Sequence, residues 1–121
     1  MHALQTFIKK LRNKFSSNKD IISWLEDWYH SHCDGEWEHD YGVDIGTLDN
    51  PGWSVSINLK GTNREHAKNS EVKIERNETD WVYCFIRETR FEAAGGPKNL
   101  QEMLHIFRKW IMREEDLEKC A

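Results

Sequence analysis

Basic side chains are missing from a long stretch of this sequence: no Lys or Arg lies between Lys19 and Lys60. Residues 1–19, in contrast, carry five basic residues and no acid. The rest of the chain holds 12 basic and 21 acidic residues, a charge of −9. An acidic body repels the phosphate backbone of nucleic acids and attracts basic partners. The charge distribution therefore argues against a nucleic-acid-binding protein.

Long hydrophobic runs are also missing. The longest covers only residues 81–86, whereas a membrane-spanning helix needs about 20 apolar residues. The N-terminal residues contain no apolar core of a signal peptide. We therefore expect a cytoplasmic protein that does not enter a membrane.

Cysteine and proline are scarce. The three cysteines, Cys33, Cys84 and Cys120, are widely spaced and form no CxxC pair, which argues against a secreted disulfide scaffold. Two prolines and 38% hydrophobic residues are typical of a globular chain rather than a disordered one. Residues 1–121 fit one domain with one core.

Two helices are predicted in the first third of the chain. Leu4, Phe7, Ile8, Leu11 and Phe15 have helical spacing, so residues 1–18 read as a basic amphipathic helical extension. A second helix is predicted over residues 18–32, opened by a Ser17-x-x-Asp20 capping box and ended at Gly35. Its predicted buried face consists of Ile21, Ile22, Leu25, Trp28, Tyr29 and His32.

Four strands and a last helix are predicted after residue 40. Alternation marks strands at residues 41–47 and 53–60, joined by an Asn50-Pro51-Gly52 turn of type II. Trp53 is expected on the buried face. Val72 and Ile74 mark a third strand. Residues 81–88 are apolar on both faces and mark a fourth strand that is central or covered on both sides. An apolar stripe after Pro97 predicts a long helix to about residue 117.

The predicted fold class is α+β. The order of elements is α-α-β-β-β-β-α, with residues 19–121 as an α-β-β-β-β-α body. We expect a four-stranded antiparallel meander, with N-terminal helices and a long C-terminal helix packed on one face.

Known catalytic and metal-binding patterns are not evident. His30 and His32 are two residues apart on a predicted helix, so they point in different directions and do not chelate one ion with Cys33 and His39. Cys33 lies at a helix C-terminus, where the helix dipole disfavours a thiolate. No nucleophile elbow, Walker loop or GxGxxG motif is present. We therefore expect no metal ion and no catalytic cysteine.

An acidic segment, residues 34–49, is the most informative feature. It contains six carboxylates and no cation: Asp34, Glu36, Glu38, Asp40, Asp44 and Asp49. Three interpretations remain open. The segment is a solvated face, a docking patch for a basic partner with Trp37 as its aromatic anchor, or an acid/base site that uses Glu36, Glu38 or Asp49.

Several runs in the sequence resemble the immunity protein 53 family of bacterial polymorphic toxin systems. The most specific is Thr47-Leu48-Asp49-Asn50-Pro51-Gly52-Trp53-Ser54-Val55. The others are Trp28-Tyr29, Cys33-Asp34-Gly35-Glu36-Trp37-Glu38-His39, Tyr41-Gly42-Val43, Phe91-Glu92-Ala93-Ala94-Gly95-Gly96-Pro97, and Leu104 with Phe107 and Trp110. The resemblance covers about residues 24–115.

The resemblance implies a toxin inhibitor. Such a protein binds a cognate toxin domain and neutralises it by occlusion, with no cofactor and no turnover. The acidic segment suggests that this toxin domain is basic, and no nucleic acid or membrane is expected as a partner. Three alternatives are a small acid/base enzyme, a nucleic-acid binder that uses the basic N-terminal helix, and a protein-interaction module of another kind.

Overall fold

The computed structural model describes residues 20–113 of the chain. The three helices are α1 (Ile21–His32), α2 (Trp37–Asp40) and α3 (Leu100–Ile111). The five strands are β1 (Val43–Leu48), β2 (Gly52–Asn58), β3 (Ser70–Asn77), β4 (Asp80–Arg87) and β5 (Arg90–Gly95). The predicted α+β class is confirmed. The predicted helix over residues 1–18 lies outside the described residues. The last helix is predicted to continue to about residue 117, but α3 ends at Ile111, with Met112 as its C-cap.

The sheet has five strands and not the four predicted. All neighbouring strands are antiparallel, in the order β1-β2-β5-β4-β3. The sheet is therefore not the expected meander, because β5 inserts between β2 and β4. The prediction missed β5 because Glu88 and Thr89 form the turn between β4 and β5 at φ of +50° and +66°. Two-residue turns with this geometry normally contain Asn or Gly, and these residues are the sequence signal for such a turn.

The turn before β2 also differs from the prediction. A type II turn places its second central residue at positive φ, yet Gly52 is not among the described residues with positive φ and is instead the first residue of β2. A Cβ at this position would overlap the carbonyl oxygen of Gly95 on β5. Glycine is thus required here because β2 and β5 approach closely, and not because of the turn.

One face of the sheet, which we call the inner face, carries the core. The predicted alternation on β2 is confirmed by the burial of Val55 and Ile57, with Leu59 buried just beyond the strand, whereas Trp53 is only partly buried. Its indole N–H donates to the carbonyl of Pro97 at 3.0 Å. The opposite, outer face carries Ser54, Ser56 and Asn58.

The helices pack on the inner face through aromatic side chains. Phe107 of α3 meets Phe91 of β5 at 4.9 Å between ring centroids, and meets Trp28 and Trp24 of α1 at 5.2 and 5.8 Å. The expected apolar stripe of α3 is confirmed by the burial of Met103, Leu104, Phe107 and Ile111.

The buried face of α1 is rotated from the predicted one. Trp24 is fully buried, whereas Ile22 and Tyr29 are 49% and 37% exposed. The helix begins at Ile21 because Asp20 itself is the N-cap: its carboxylate accepts a hydrogen bond from the backbone N–H of Ser23 at 3.2 Å. At the other end the helix stops at His32, as predicted, and Gly35 just beyond it has a φ of +94°.

A polar network joins the start of α3 to the β3–β4 hairpin. Arg76 pairs with Glu102 at 2.6 Å and with Asp80 at 2.8 Å. The buried Asn99 donates to both of these carboxylates, at 3.0 and 2.9 Å. Asn99 is also the residue that precedes α3, which begins three residues after Pro97 rather than at it.

The predicted central position of β4 is confirmed, since β4 lies between β5 and β3. On the outer face its aromatic residues Trp81, Tyr83 and Phe85 are half-buried. Arg87 lies over the ring of Phe85 at 4.6 Å and pairs with Glu71 at 2.8 Å. The chain thus partly covers this aromatic stripe with its own side chains.

No helix within residues 20–113 is long and apolar enough to cross a membrane.

Candidate partner-binding site

Two of the acids in segment 34–49 hold the backbone of their own loop. The carboxylate of Asp34 accepts hydrogen bonds from the backbone N–H groups of Glu36 and Trp37, both at 2.9 Å. The carboxylate of Glu38 reaches back to the backbone N–H groups of Asp34 and Gly35, at 3.0 and 2.8 Å. These four bonds fix the turn between α1 and α2, so Asp34 and Glu38 position the segment rather than offer free carboxylates.

The same hydrogen bonds favour the ionised form of both acids. The backbone N–H of Trp37, followed by that of Glu36, lowers the pKa of Asp34 below its usual value. The backbone N–H of Glu38 itself, with those of Asp34 and Gly35, lowers the pKa of Glu38. An acid catalyst needs a raised pKa, so the lowered pKa of Glu38 argues against that role.

Trp37 is a core residue. It is only 5% exposed, and its indole N–H donates to the carbonyl of Lys60 at 2.8 Å. Its ring contacts the rings of Trp28, His32, Tyr29 and Tyr41 at 5.7–6.4 Å between centroids. The expected role of Trp37 as an exposed anchor for a partner is therefore corrected: the ring pins the acidic segment to the body and is not available for insertion into another protein.

The other four acids of the segment face solvent. Glu36, Asp40, Asp44 and Asp49 are exposed. None of them forms a salt bridge or a side-chain hydrogen bond with another residue in the range 20–113. Because ion pairs among residues 20–113 do not offset them, these carboxylates give this surface a negative potential.

A groove of about 380 Å³ connects the acidic segment to the outer face of the sheet. Glu38, Asp40 and Asp44 line one side of it, and Ser56 and Arg90 line the other. Arg90 is the one Lys or Arg among the lining residues, and it is already engaged with Glu92 and Ser56, each at 3.3 Å. The groove is therefore polar and anionic, and its shape is open toward solvent.

Apolar side chains lie beside these acids. Tyr29 and Val43 also line the groove. Ile45, two residues further along the inner face of β1, is 40% exposed. Ile22 is seven residues before Tyr29 and thus on the same side of α1. These are the large hydrophobic residues that the described part of the chain leaves most exposed: Ile22, Tyr29 and Ile45.

The histidines and cysteine near the end of α1 have separate surroundings. His32 stacks on Trp28 at 4.6 Å, and one of its ring nitrogens lies 2.8 Å from the Trp28 carbonyl. The Cys33 thiol donates to the Tyr29 carbonyl at 3.4 Å, while His30 and His39 are exposed. Between residues 20 and 113, no three His, Cys, Asp or Glu residues form a group that could hold a metal ion.

Sequence reasoning missed the sheet side of this site. Ser56, Asn58 and Arg90 join the groove because β2 lies between β1 and β5, and no local pattern predicts that order. The exposure of Tyr29 and Ile22 was missed because Trp24, which displaces them from the core, was left out of the predicted face. Asp49 belongs to the segment but does not line the groove.

The comparisons with known proteins agree with the resemblance seen in the sequence. The sequence model of a family described as immunity protein 53 matches residues 22–112. No curated protein and no solved structure matches the chain.

Proposed function

Since the chain belongs to the immunity protein 53 family, we propose that it binds a cognate toxin domain and neutralises it by occlusion, without catalysis. The observation that carries the choice of surface is the exposed carboxylates of the acidic segment, of which Asp40 and Asp44 line the anionic groove. We place the contact at this groove and at the apolar residues beside it.

Charge supports a basic partner. Opposite charges on two proteins accelerate their encounter, and the acceleration falls as salt screens the field. Because no Lys or Arg occurs between residues 19 and 60, the acids of this face are not neutralised by neighbours in sequence. A toxin domain whose substrate is anionic would carry the complementary basic surface, and covering that surface would block it.

The exposed apolar residues supply the second component of an interface. Binding energy in protein interfaces concentrates in a few aromatic or large apolar residues surrounded by polar ones. Tyr29 lines the groove with these acids, and Ile45 follows Asp44 on β1, so both fit this arrangement. Tyr29 therefore replaces Trp37 as the proposed aromatic contact.

The surroundings of the acids support binding over catalysis. Glu38 is the acid of the enzyme hypothesis that lines the groove, and two backbone N–H groups already occupy its carboxylate. Glu36 and Asp49, the other two candidates, lie outside the groove lining. An acid/base pair that acts on one substrate would have to converge on one cavity.

The test is kinetic binding to the toxin domain encoded beside this gene, in a catalytically inactive form, at several salt concentrations. The variant Glu36→Gln/Asp40→Asn/Asp44→Asn removes three exposed carboxylates without touching Asp34 or Glu38. We expect at least a tenfold lower association rate, a shallower salt dependence and little change in the dissociation rate. Exposed charges are screened beyond about 8 Å at physiological ionic strength, so steering should be strongest at low salt.

A matched control is Glu65→Gln/Glu78→Gln/Glu88→Gln, which changes the net charge equally in other loops. It should leave the association rate within about twofold of the unmodified protein. Tyr29→Ala should mainly raise the dissociation rate. If the first triple variant folds and binds with the rates and salt dependence of the control, the acidic surface is only a solvated face. If no complex forms with the unmodified protein, the proposed function itself is wrong.

A further inference from the structure

Within residues 20–113, strand β1 is the last strand of the sheet and is unpaired on one side. Among the described elements, β2 is its only partner. The N–H of Asn58 donates to the carbonyl of Gly42 at 3.2 Å, which makes that pair a hydrogen-bonded one. Because hydrogen-bonded and non-hydrogen-bonded pairs alternate along an antiparallel ladder, the N–H and C=O groups of Val43, Ile45 and Thr47 point away from β2. Three donors and three acceptors thus lie in a row along the open edge.

The opposite edge of the sheet is protected. The Gly96 N–H donates to the Trp81 carbonyl, so the backbone groups of Trp81, Tyr83 and Phe85 face β5 and not β3. Their partners on β3 are Glu75, Lys73 and Glu71, and the N–H and C=O groups of these three residues therefore point away from the sheet. All three are charged and exposed, and the register with β4 shifts between Glu75 and Asn77. Charged side chains and bulges are the features by which proteins prevent pairing at a sheet edge.

The β1 edge lacks these features. Val43, Ile45 and Thr47 carry no charge, no proline interrupts the strand, and its register with β2 is regular over Val43–Leu48. Ile45 is 40% exposed and Thr47 is exposed on the inner face. Asp44 is the one charged residue of the strand, and its N–H and C=O groups face β2. An edge whose outward-facing residues are uncharged and whose register is regular is a template for another strand.

We propose that the toxin domain adds an extended segment to β1 as a sixth strand of the sheet. This inference rests on the proposed function and specifies how the partner binds. Side chains of the added strand alternate between the two faces. Those on the outer face would meet Asp44, and those on the inner face would meet Ile45. The fitting segment therefore alternates basic and apolar residues.

Charge selects a basic partner over a second copy of this chain. Asp40 and Asp49 lie beyond the two ends of β1, and Asp44 lies within it. Pairing of two β1 strands would bring the acidic segments of two copies together without a cation on either. Like charges set across from each other destabilise strand pairing, whereas Lys or Arg on a partner strand would be attracted.

Amide hydrogen exchange tests the proposal directly. The unmodified protein is compared free and in complex with the inactive toxin domain encoded beside its gene. We expect the amides of Val43, Ile45 and Thr47 to exchange at least tenfold more slowly in the complex, while those of Glu71, Lys73 and Glu75 keep their free rates. On the toxin domain, every second amide of one segment should be slowed, because only alternate N–H groups face β1.

Proline substitution provides an independent readout. Ile45→Pro removes one outward N–H without removing a hydrogen bond to β2, and we expect it to weaken binding at least tenfold relative to Ile45→Ala. Lys73→Pro makes the same change at the opposite edge and should leave the affinity unchanged. If circular dichroism shows that Ile45→Pro does not fold, the hydrogen-exchange experiment on the unmodified protein alone tests the proposal.

The two proposals fail in different ways. A complex in which the β1 amides exchange at their free rates, or in which no alternate pattern appears on the toxin domain, overturns strand addition but leaves the proposed function standing. The absence of any complex between the unmodified protein and the toxin domain overturns both.

Discussion

Removing the Trp37 ring should cost this protein a large part of its stability. Trp37 is 5% exposed and packs among aromatic rings contributed by α1 and by the chain that leads into β1. Truncation of a buried Trp to Ala costs about 3–5 kcal/mol, since the transfer energy and the cavity add. Against a total of about 5–15 kcal/mol for a domain of this kind, Trp37→Ala should lower the midpoint of urea unfolding markedly.

Two further variants separate the contributions of the ring. Trp37→Phe keeps an aromatic ring but loses the hydrogen bond to the Lys60 carbonyl, so it should cost about 1 kcal/mol from that bond, plus a smaller packing loss. Gly61→Ala acts from the other side, because Gly61 has φ of +80° and a Cβ there would lie 3.0 Å from Cδ1 of Trp37. This variant should lose about 1–2 kcal/mol through backbone strain alone.

The measurement is the free energy of unfolding from urea titration, with Trp81→Ala as the control. Trp81 is a half-exposed tryptophan on the outer face of the sheet, so its truncation should cost less than half as much. An unfolding midpoint for Trp37→Ala equal to that of the Trp81→Ala control would refute the burial argument. Trp37 would then be a surface residue and a candidate contact for the toxin domain.

Three other variants or conditions test the fold. Gly52→Ala should destabilise by about 1–3 kcal/mol because its Cβ would overlap a β5 carbonyl oxygen. The control is Gly46→Ala, whose Cβ would have its nearest neighbour at an ordinary 3.5 Å. Equal melting temperatures for the two variants would contradict the prediction. Thr89→Gly should stabilise by about 0.5–1 kcal/mol, since a β-branched residue at φ of +66° is strained; a lower melting temperature would contradict it. Hydrogen bonds and an ion pair lower the pKa values of Asp80 and Glu102 in the folded state below 3.8 and 4.5. The two carboxylates therefore contribute fully to the free energy of unfolding above about pH 5, and this contribution is lost as pH falls through their folded-state pKa values. The free energy of unfolding, measured between pH 2 and pH 6 (about the range of these pKa values), should depend less on pH in Glu102→Gln than in the unmodified protein.

Much of the fold could be predicted from local patterns. The alternation at Val55, Ile57 and Leu59 and the helical stripe through Leu104 and Phe107 each follow from one geometric period and a demand for burial. For these elements, both the predicted type of secondary structure and the predicted buried face agree with the structure. The strand β5 did not, because its preceding turn at Glu88 and Thr89 uses residues that give no turn signal.

The candidate site was predictable in composition but not in arrangement. The cluster of acids at residues 34–49 is visible in the sequence, yet the roles of its members are not. Asp34 and Glu38 bond to backbone N–H groups only because the chain turns between α1 and α2. Arg90 reaches the same groove from more than forty residues away.

The sequence by itself determined the net charge of the chain, the apolar faces of β2 and α3, and the family to which the chain belongs. These properties depend on residue types and on spacing along the chain. The tertiary structure alone decided which residues are exposed: it buried Trp37, left Tyr29 and Ile45 at the surface, and placed β1 at an open edge. Exposure depends on long-range packing, because a position is covered only when an element distant in sequence lies against it.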